Sequence, residues 1–319
     1  MPAVLAPATQ YTAVTLVTDM TIALAWNVVV GYGGQLSLGV GAFTGVGAYA
    51  CGLAMVHLGW GWLEAGLAGL VVCAAFGLVV GLPLLRVKGA YFAVATLVVA
   101  VGLQAGAQLW TWAGGGSGFT LPIAQLPSDS TVLRAGVVVL VVALATTLYV
   151  QDSRFGLRLR AVRDDEQAAA GLGIATSTYR LVPFVASGIL MGLAGQLSAL
   201  QSVSVSPAGS FSMEWTINAS LFVVAGGIGT AVGPLLGVIL VYLILTQGLQ
   251  NLGVASSIIE GVLLVAVLRF APSGIWPTAL SVGKRLESAW KRRAGAQGMA
   301  ADKEKRQVHV ATASAVRER

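Results

Sequence analysis

The chain has 319 residues, of which 56% are hydrophobic and only 10% charged, and its formal net charge is +6. A soluble domain carries about 25% charged residues, so a water-soluble enzyme or a solvated scaffold is excluded. The positive excess comes from residues 269–319, with eleven basic and four acidic residues, and reads as a cytoplasmic bias of a membrane protein rather than a nucleic-acid patch.

From residue 1 to residue 85 the only formal charges are Asp19 and Glu64. The apolar runs are about 20 residues long and lack strand alternation, so they predict helices. The whole is an all-α polytopic membrane protein with about eight to nine transmembrane or half-membrane helices. The N-terminal MPAVLAPATQ has no basic residue and no cleavage signature, unlike a secretory signal. A first span is predicted over 11–30, with Asp19, Trp26 and Asn27 inside it. Seven glycines between Gly31 and Tyr49 predict a broken or tightly packed helix that continues to about His57. Gly41 and Gly45 form a GxxxG pair, which serves either close helix packing or a substrate contact. Further spans are predicted over 62–85, 91–110, 132–150 and 181–200, with shorter apolar segments at 213–225, 232–249 and 257–270. Residues 111–131 are polar, rich in Gly and Pro and free of Lys and Arg, as expected outside the cell. Arg86, Lys88, the 152–180 loop and the tail are expected on the cytoplasmic side, which leaves the N-terminus outside. Residues 1–277 form the membrane domain, and 278–319 a charged tail expected to be disordered.

The stretch from Asp152 to Arg180 is a long charged interruption in this apolar chain. It holds Arg154, Arg158, Arg160, Arg163 and Arg180 beside Asp152, Asp164, Asp165 and Glu166. A short helix is predicted inside it. Asp164 is the expected cap, with Gln167 three residues on. Asp165 and Glu166 suit the helix's positive end, and Gly171 and Gly173 can stop it. Ala168, Ala169 and Ala170 let another surface approach closely. The stretch is either a docking helix or a solvated loop with one helical turn.

The glycine turn from Gly226 to Gly233 separates two apolar segments and carries no charge. It is expected to pack inside protein, and Gly229, Gly233 and Gly237 share one helical face if the helix starts early. The alternative is a plain hairpin. Segments 27–46 and 222–239, each an apolar run followed by a glycine-containing turn, suggest a weak inverted repeat.

Five stretches carry a family resemblance: GYGGQLSLGVGAFTGVGAYA (31–50), LRVKGAYFAVATL (85–97), RFGLRLRAVRDDEQAAAGLGIATSTYRLVPFVASGILMGLAGQL (154–197), SFSMEWTINASLFVVAGGIGTAVGPLLG (210–237) and EGVLLVAVLRFAPSGIW (260–276). In this order they resemble the permease subunits of ATP-binding-cassette importers of the branched-chain amino acid, LivM type. The resemblance implies an importer permease fold without a catalytic site and a location in the inner membrane. It implies alternating access driven by two separate ATPase subunits, which bind the ATP and Mg, while this chain binds no cofactor. The implied partners are a second permease subunit, LivH-like or an identical copy, and a periplasmic or lipid-anchored solute-binding protein, together with membrane lipid; no nucleic acid is involved. Branched-chain or other hydrophobic amino acids are the implied solutes, with urea and short amides as relatives. Arg163, Asp164, Asp165, Glu166, Gln167, Ala168, Ala169 and Gly171 fall on the ATPase-coupling element. The family's additional N-terminal hydrophobic helix is missing here, so the N-terminus either lies outside or follows an upstream start.

The sequence lacks a G-x-x-x-x-G-K-[ST] phosphate loop and an HExxH zinc motif, and holds two histidines, His57 and His309. Neither nucleotide hydrolysis by this chain nor a catalytic metal follows from such a pattern. Cys51 and Cys73 lie in apolar runs and read as core residues. Asp19 and Glu260 are carboxylates inside spans, either ion or solute sites or hydrogen-bonded helix contacts. The candidate lining of a pathway is Asp19, Asn27, Gln35, Ser37, Gly41, Gly45, Gly229 and Gly233. A self-sufficient ion-coupled carrier is the alternative class, and it has no use for an ATPase-docking helix.

Overall fold

The computed structural model describes residues 7–87 and 89–248, with Arg269, Gly274 and Trp276. The chain divides into two units, Met1–Ile275 and Trp276–Arg319, and of the second only Trp276 is described. The expected boundary at 277, the charged tail and Glu260 lie outside the described residues, as does all but Arg269 of the span expected at 257–270.

Helix α1 (Pro7–Asn27) continues through a π-helical turn, Val28–Tyr32, into an extended break that ends where α2 (Val40–Leu58) begins. Helices α3 (Trp62–Leu84) and α4 (Ala90–Leu109) follow, then a loop with the strand β1 (Phe119–Thr120), then α5 (Asp129–Asp152). Two short helices come next, α6 (Arg154–Asp164) and α7 (Glu166–Gly171), before the long α8 (Thr176–Ser202). Strand β2 (Ser204–Val205), α9 (Pro207–Ser210), α10 (Glu214–Gly226) and α11 (Gly233–Gly248) complete the described chain. Six helices among the described residues are long and apolar enough to cross a membrane. With the shorter α10, 13 residues, and α11, of which 16 residues are described, these agree with the eight to nine transmembrane or half-membrane helices expected. At about 1.5 Å per residue the 13 residues of α10 do not reach across about 30 Å of hydrocarbon.

Helices α1, α2 and α8 are mostly buried, whereas α3, α4 and α5 present most of their surface outward. The centre is built on small residues. A Cβ at Gly47 would strike the backbone of Gly192, and one at Gly195 the backbone of Thr44. This close approach of α2 and α8 is the kind of contact that glycine makes available between membrane helices. Phe43 fills the space beside it, with its ring edge-on to Phe76 at 5.2 Å and to Phe184 at 5.4 Å. Cys73 is buried and its sulfur lies against Gly192.

The two ends of the bundle differ in chemistry. At one end, β1 pairs antiparallel with β2, Phe119 opposite Val205. His57 stacks on Trp112 at 4.0 Å, and Trp60, Trp110 and Trp112 are exposed. Such an aromatic girdle marks a membrane–water boundary. At the other end lie Arg86, α6 and α7, with four exposed or half-exposed arginines of the 154–163 segment.

The break between α1 and α2 runs through the bundle rather than outside it. Backbone at that depth must be satisfied by protein, and it is. Trp26 Nε1 donates to the Ser37 carbonyl at 2.9 Å, and Leu38 N donates to Thr96 Oγ1 at 2.9 Å. Thr216 Oγ1 donates to the Leu38 carbonyl at 3.1 Å. Gly34, with φ +66, turns the chain out of the π-helical segment.

Candidate site for docking and for the pathway

Helix α6 begins where Ser153 Oγ accepts from Gly156 N at 3.1 Å. Its apolar residues Phe155, Leu159 and Val162 recur at helical spacing. Leu159 packs in one cluster with Val28, Tyr32 and Val150, against which Phe155 and Tyr179 also lie. The helix is therefore laid across the ends of α1 and α5. Arg160 Nη2 donates to the Gln151 carbonyl at 3.1 Å, and Arg163 Nη1 to the Gly31 carbonyl at 2.9 Å. Arg158 Nη1 donates to the Tyr179 hydroxyl at 3.0 Å, which raises the already high pKa of its guanidinium.

Helix α7 is capped by Asp165, not by Asp164 as expected. One Asp165 oxygen accepts from Gln167 N and from Ala168 N, both at 2.9 Å. Asp164 instead closes α6 and pairs with Arg163 at 2.9 Å. Two aspartates in tandem offer two registers for a cap, and the chain uses the second because Asp165 alone has extended backbone, φ −152. The helix ends at Gly171, and Gly173 turns away with φ +79. Ala169 is 2% exposed and packs against its own chain, so the whole alanine run is not a free surface as expected. The open face of α7 is Gln167, Ala168, Ala170 and Gly171, continued by Leu172, which is 82% exposed.

Glu166 is turned inward. It pairs with Arg180 at 3.4 Å, and Arg180 donates further to the carbonyls of Leu85 at 3.1 Å and Val87 at 3.2 Å. Gln35 Nε2 reaches the Arg180 carbonyl at 3.3 Å. Arg180 thus joins α7, the α3–α4 turn and the break in one cluster. Beside it lies a cavity of about 410 Å³ lined by Gln35, Leu36, Phe92, Arg163, Glu166 and Arg180.

The glycine turn after α10 meets the end of α1. The Asn27 amide is fully buried: Nδ2 donates to the Thr230 carbonyl and Oδ1 accepts from Gly229 N, both at 2.8 Å. A Cβ at Gly31 would lie 2.7 Å from Gly229 N. From the other side, Gln151 Oε1 accepts from Ala231 N at 3.2 Å and from the Tyr32 hydroxyl at 3.0 Å. Gly229 is in the turn itself, with φ +75, and α11 begins only at Gly233. Gly229 therefore does not share a helix face with Gly233 and Gly237. Those two do face α10, packed against Gly226 and Phe222. The segments that suggest a repeat, 27–46 and 222–239, meet here face to face.

The other predicted lining residues are scattered. Gln35 and Ser37 are buried in the break. Gly41 lies against the carbonyls of Phe211 and Ser212, and Gly45 against the Phe211 ring, so the GxxxG face is filled by the chain itself. Asp19 is half-buried on α1. At the tryptophan end a second cavity, about 240 Å³, is lined by Thr44, Ser198, Ser202, Ser206, Ser210 and Trp215. Its wall is fastened by Thr44 Oγ1 to the Ser210 carbonyl at 2.9 Å and Trp215 Nε1 to the Gly209 carbonyl at 2.9 Å. Sequence reasoning passed over Gln151 and Thr230, and it counted Arg180 in the charged stretch without giving it a site role. The signal for that role is a charge at the mouth of a span.

A family model described as the permease component of branched-chain amino acid transport systems matches residues 9–268. The high-affinity branched-chain amino acid transport system permease protein LivM of Salmonella typhimurium is 30% identical over 290 residues, covering 80% of this chain and 67% of that protein. The protein of the same name from Escherichia coli is 29% identical over the same shares. The ribose import permease protein RbsC of Bacillus subtilis is 33% identical over 122 residues, 36% of this chain and 38% of that one. No solved structure matches significantly. With a match that spans almost all of the described bundle, and with the helices to cross a membrane several times, the chain belongs to the family of permease components of branched-chain amino acid transport systems.

Proposed function

We propose that this chain is one of two membrane subunits of an ATP-driven importer whose solute is a branched-chain or other hydrophobic amino acid. The observation that carries the reading is α7: a short capped helix at the arginine end whose open face is small residues and Leu172. That face fits a groove on an ATPase subunit, so the arginine end is the cytoplasmic one. The chain itself has no catalytic site and binds no cofactor; ATP and Mg belong to two ATPase subunits. A second permease subunit, LivH-like or an identical copy, completes the pathway. A solute-binding protein delivers cargo at the tryptophan end. The serine-lined cavity there offers an amino acid's ammonium and carboxylate neutral hydrogen-bonding partners, without a charged side chain that would trap either group. Pathway roles for Asp19, Asn27, Gln35, Ser37, Gly41, Gly45, Gly229 and Gly233, and an ATPase-coupling role for the 163–171 segment, are part of this proposal.

The test is uptake of labelled leucine into vesicles that hold this chain with its ATPase and permease partners, supplied with binding protein. Uptake requires internal ATP and persists when a protonophore collapses the ion gradient. Leu172→Asp, which puts charge on the open face of α7, abolishes both ATPase association and uptake. Uptake by this chain alone that stops with the protonophore would make it an ion-coupled carrier instead.

A further inference from the structure

The 227–232 turn is held by side chains that come from outside it. Three successive residues are gripped by two amides: Gly229 N and the Thr230 carbonyl by Asn27, and Ala231 N by Gln151. The two amides stand at the arginine-end termini of α1 and α5, and the same two termini are held from below by α6. Arg163 donates to the Gly31 carbonyl, four residues beyond Asn27, and Arg160 donates to the carbonyl of Gln151 itself. The turn closes on itself through Thr230 Oγ1, which donates to the Gly227 carbonyl at 2.8 Å and accepts from Gly233 N at 3.1 Å. These hydrogen bonds tie the turn's position to the groups that hold it.

We propose that Gln151 is a positioning residue that couples the docking loop to the glycine turn: α6 displaces the end of α5 through Arg160, and Gln151 Oε1 carries that displacement to Ala231. The parallel route is Arg163 to Gly31 and Asn27 to Gly229. Gln151 suits the task because one side-chain oxygen serves two donors, the Tyr32 hydroxyl of the π-helical turn and Ala231 N. It thereby ties α5, α1 and the α10–α11 connection at one atom, with α6 on its main chain. The 227–232 turn carries no charged residue: its own backbone groups are met by the neutral side-chain amides of Asn27 and Gln151. Coupling between remote sites needs such a contiguous set of discrete contacts, and its proof is a coupling measurement.

This inference rests on the importer reading, and one experiment separates the two. The parent, Gln151→Leu and Gln151→Glu are assembled with ATPase subunits, partner permease and binding protein, and ATP hydrolysis and leucine uptake are measured in the same vesicles. Leucine removes the acceptor; glutamate keeps an oxygen for Ala231 N and the Tyr32 hydroxyl. Gln151→Leu is expected to retain its ATPase subunits and its hydrolysis without solute, while leucine moved per ATP falls at least fivefold. Gln151→Glu returns that ratio to within twofold of the parent. A parental ratio in Gln151→Leu overturns the proposal, and so does an equal fall in hydrolysis and uptake, or a Gln151→Glu as uncoupled as the leucine variant. Should Gln151→Leu fail to assemble, Tyr32→Phe is measured in its place, since it removes only one donor to the same oxygen; a ratio at least twofold down supports the proposal and an unchanged ratio overturns it. A parent complex that hydrolyses ATP but moves no leucine would overturn the importer reading, and this inference with it.

Discussion

Arg180 sits where a charge is expensive, at the mouth of α8 and 8% exposed. It stays there because its guanidinium faces the Leu85 and Val87 carbonyls and the Glu166 carboxylate. A planar group with several fixed donors satisfies such a set; an ammonium satisfies part of it. Arg180→Leu leaves two turn carbonyls without their donor, a loss of about 2–4 kcal/mol for two such groups. The expected result is a lower midpoint of thermal unfolding in detergent, with Arg180→Lys between variant and parent. An unchanged midpoint in Arg180→Leu would mean that the carbonyls find other partners. None of these partners could be read from the sequence. Positions 85 and 87 lie 95 and 93 residues from Arg180 along the chain, and their meeting is a product of packing. The same holds for Asn27, whose partners at 229 and 230 lie some two hundred residues away. Asn27 and Gln35 could be named as candidates because an amide inside an apolar run has to be satisfied by something; what satisfies it was not in the local pattern.

At the scale of the element, α6 and α7 show which signals are readable. The capped acidic start and glycine stop placed α7 within a residue, since caps and stops are local chemistry. Helix α6 went unread. Its five polar positions among Arg154–Asp164 concealed the stripe Phe155, Leu159 and Val162, although that stripe has ordinary helical spacing. The burial of Ala169 changes what a mutation there would report. A long cation at Ala169 collides with the chain's own core, an overpacking of about 1–3 kcal/mol before any partner is met. The exposed neighbour is the sharper probe. Ala169→Arg is expected to lower thermal stability of the isolated subunit, whereas Ala170→Arg leaves stability at the parent value and prevents copurification of the ATPase subunit. Equal stability of both variants would place Ala169 on the open face after all.

For the whole molecule, the long spans were legible because about 20 apolar residues without charge have few alternatives in a membrane. Helices α3, α4 and α5 fall within a few residues of their expected limits. Helices α10 and α11 also begin within a residue of the expected 213 and 232, and the glycine-rich run after Gly31 is broken as expected, with α2 starting at Val40; hydropathy cannot tell where within such a run the helix stops. The orientation of the bundle has its own test. Among the described residues Arg86, Arg154, Arg158, Arg160, Arg163 and Arg180 gather at the α6–α7 end, and exposed tryptophans with the uncharged 111–128 loop lie at the opposite one, so the arginine end should face the cytoplasm. Ser117 is exposed in that loop and Ser177 is exposed at the start of α8 on the arginine end. The native cysteines, Cys51 and Cys73, are both buried, so background labelling is low. Ser117→Cys should react with a membrane-impermeant maleimide added to intact cells or spheroplasts, and Ser177→Cys only after the membrane is opened. Both substitutions are small and at exposed positions, so neither should disturb assembly. Reaction of Ser177→Cys in sealed cells, with protection of Ser117→Cys, would invert the orientation. It would then put α7 on the wrong side of the membrane to meet an ATPase, and both the docking assignment and the coupling route through Gln151 would fail together.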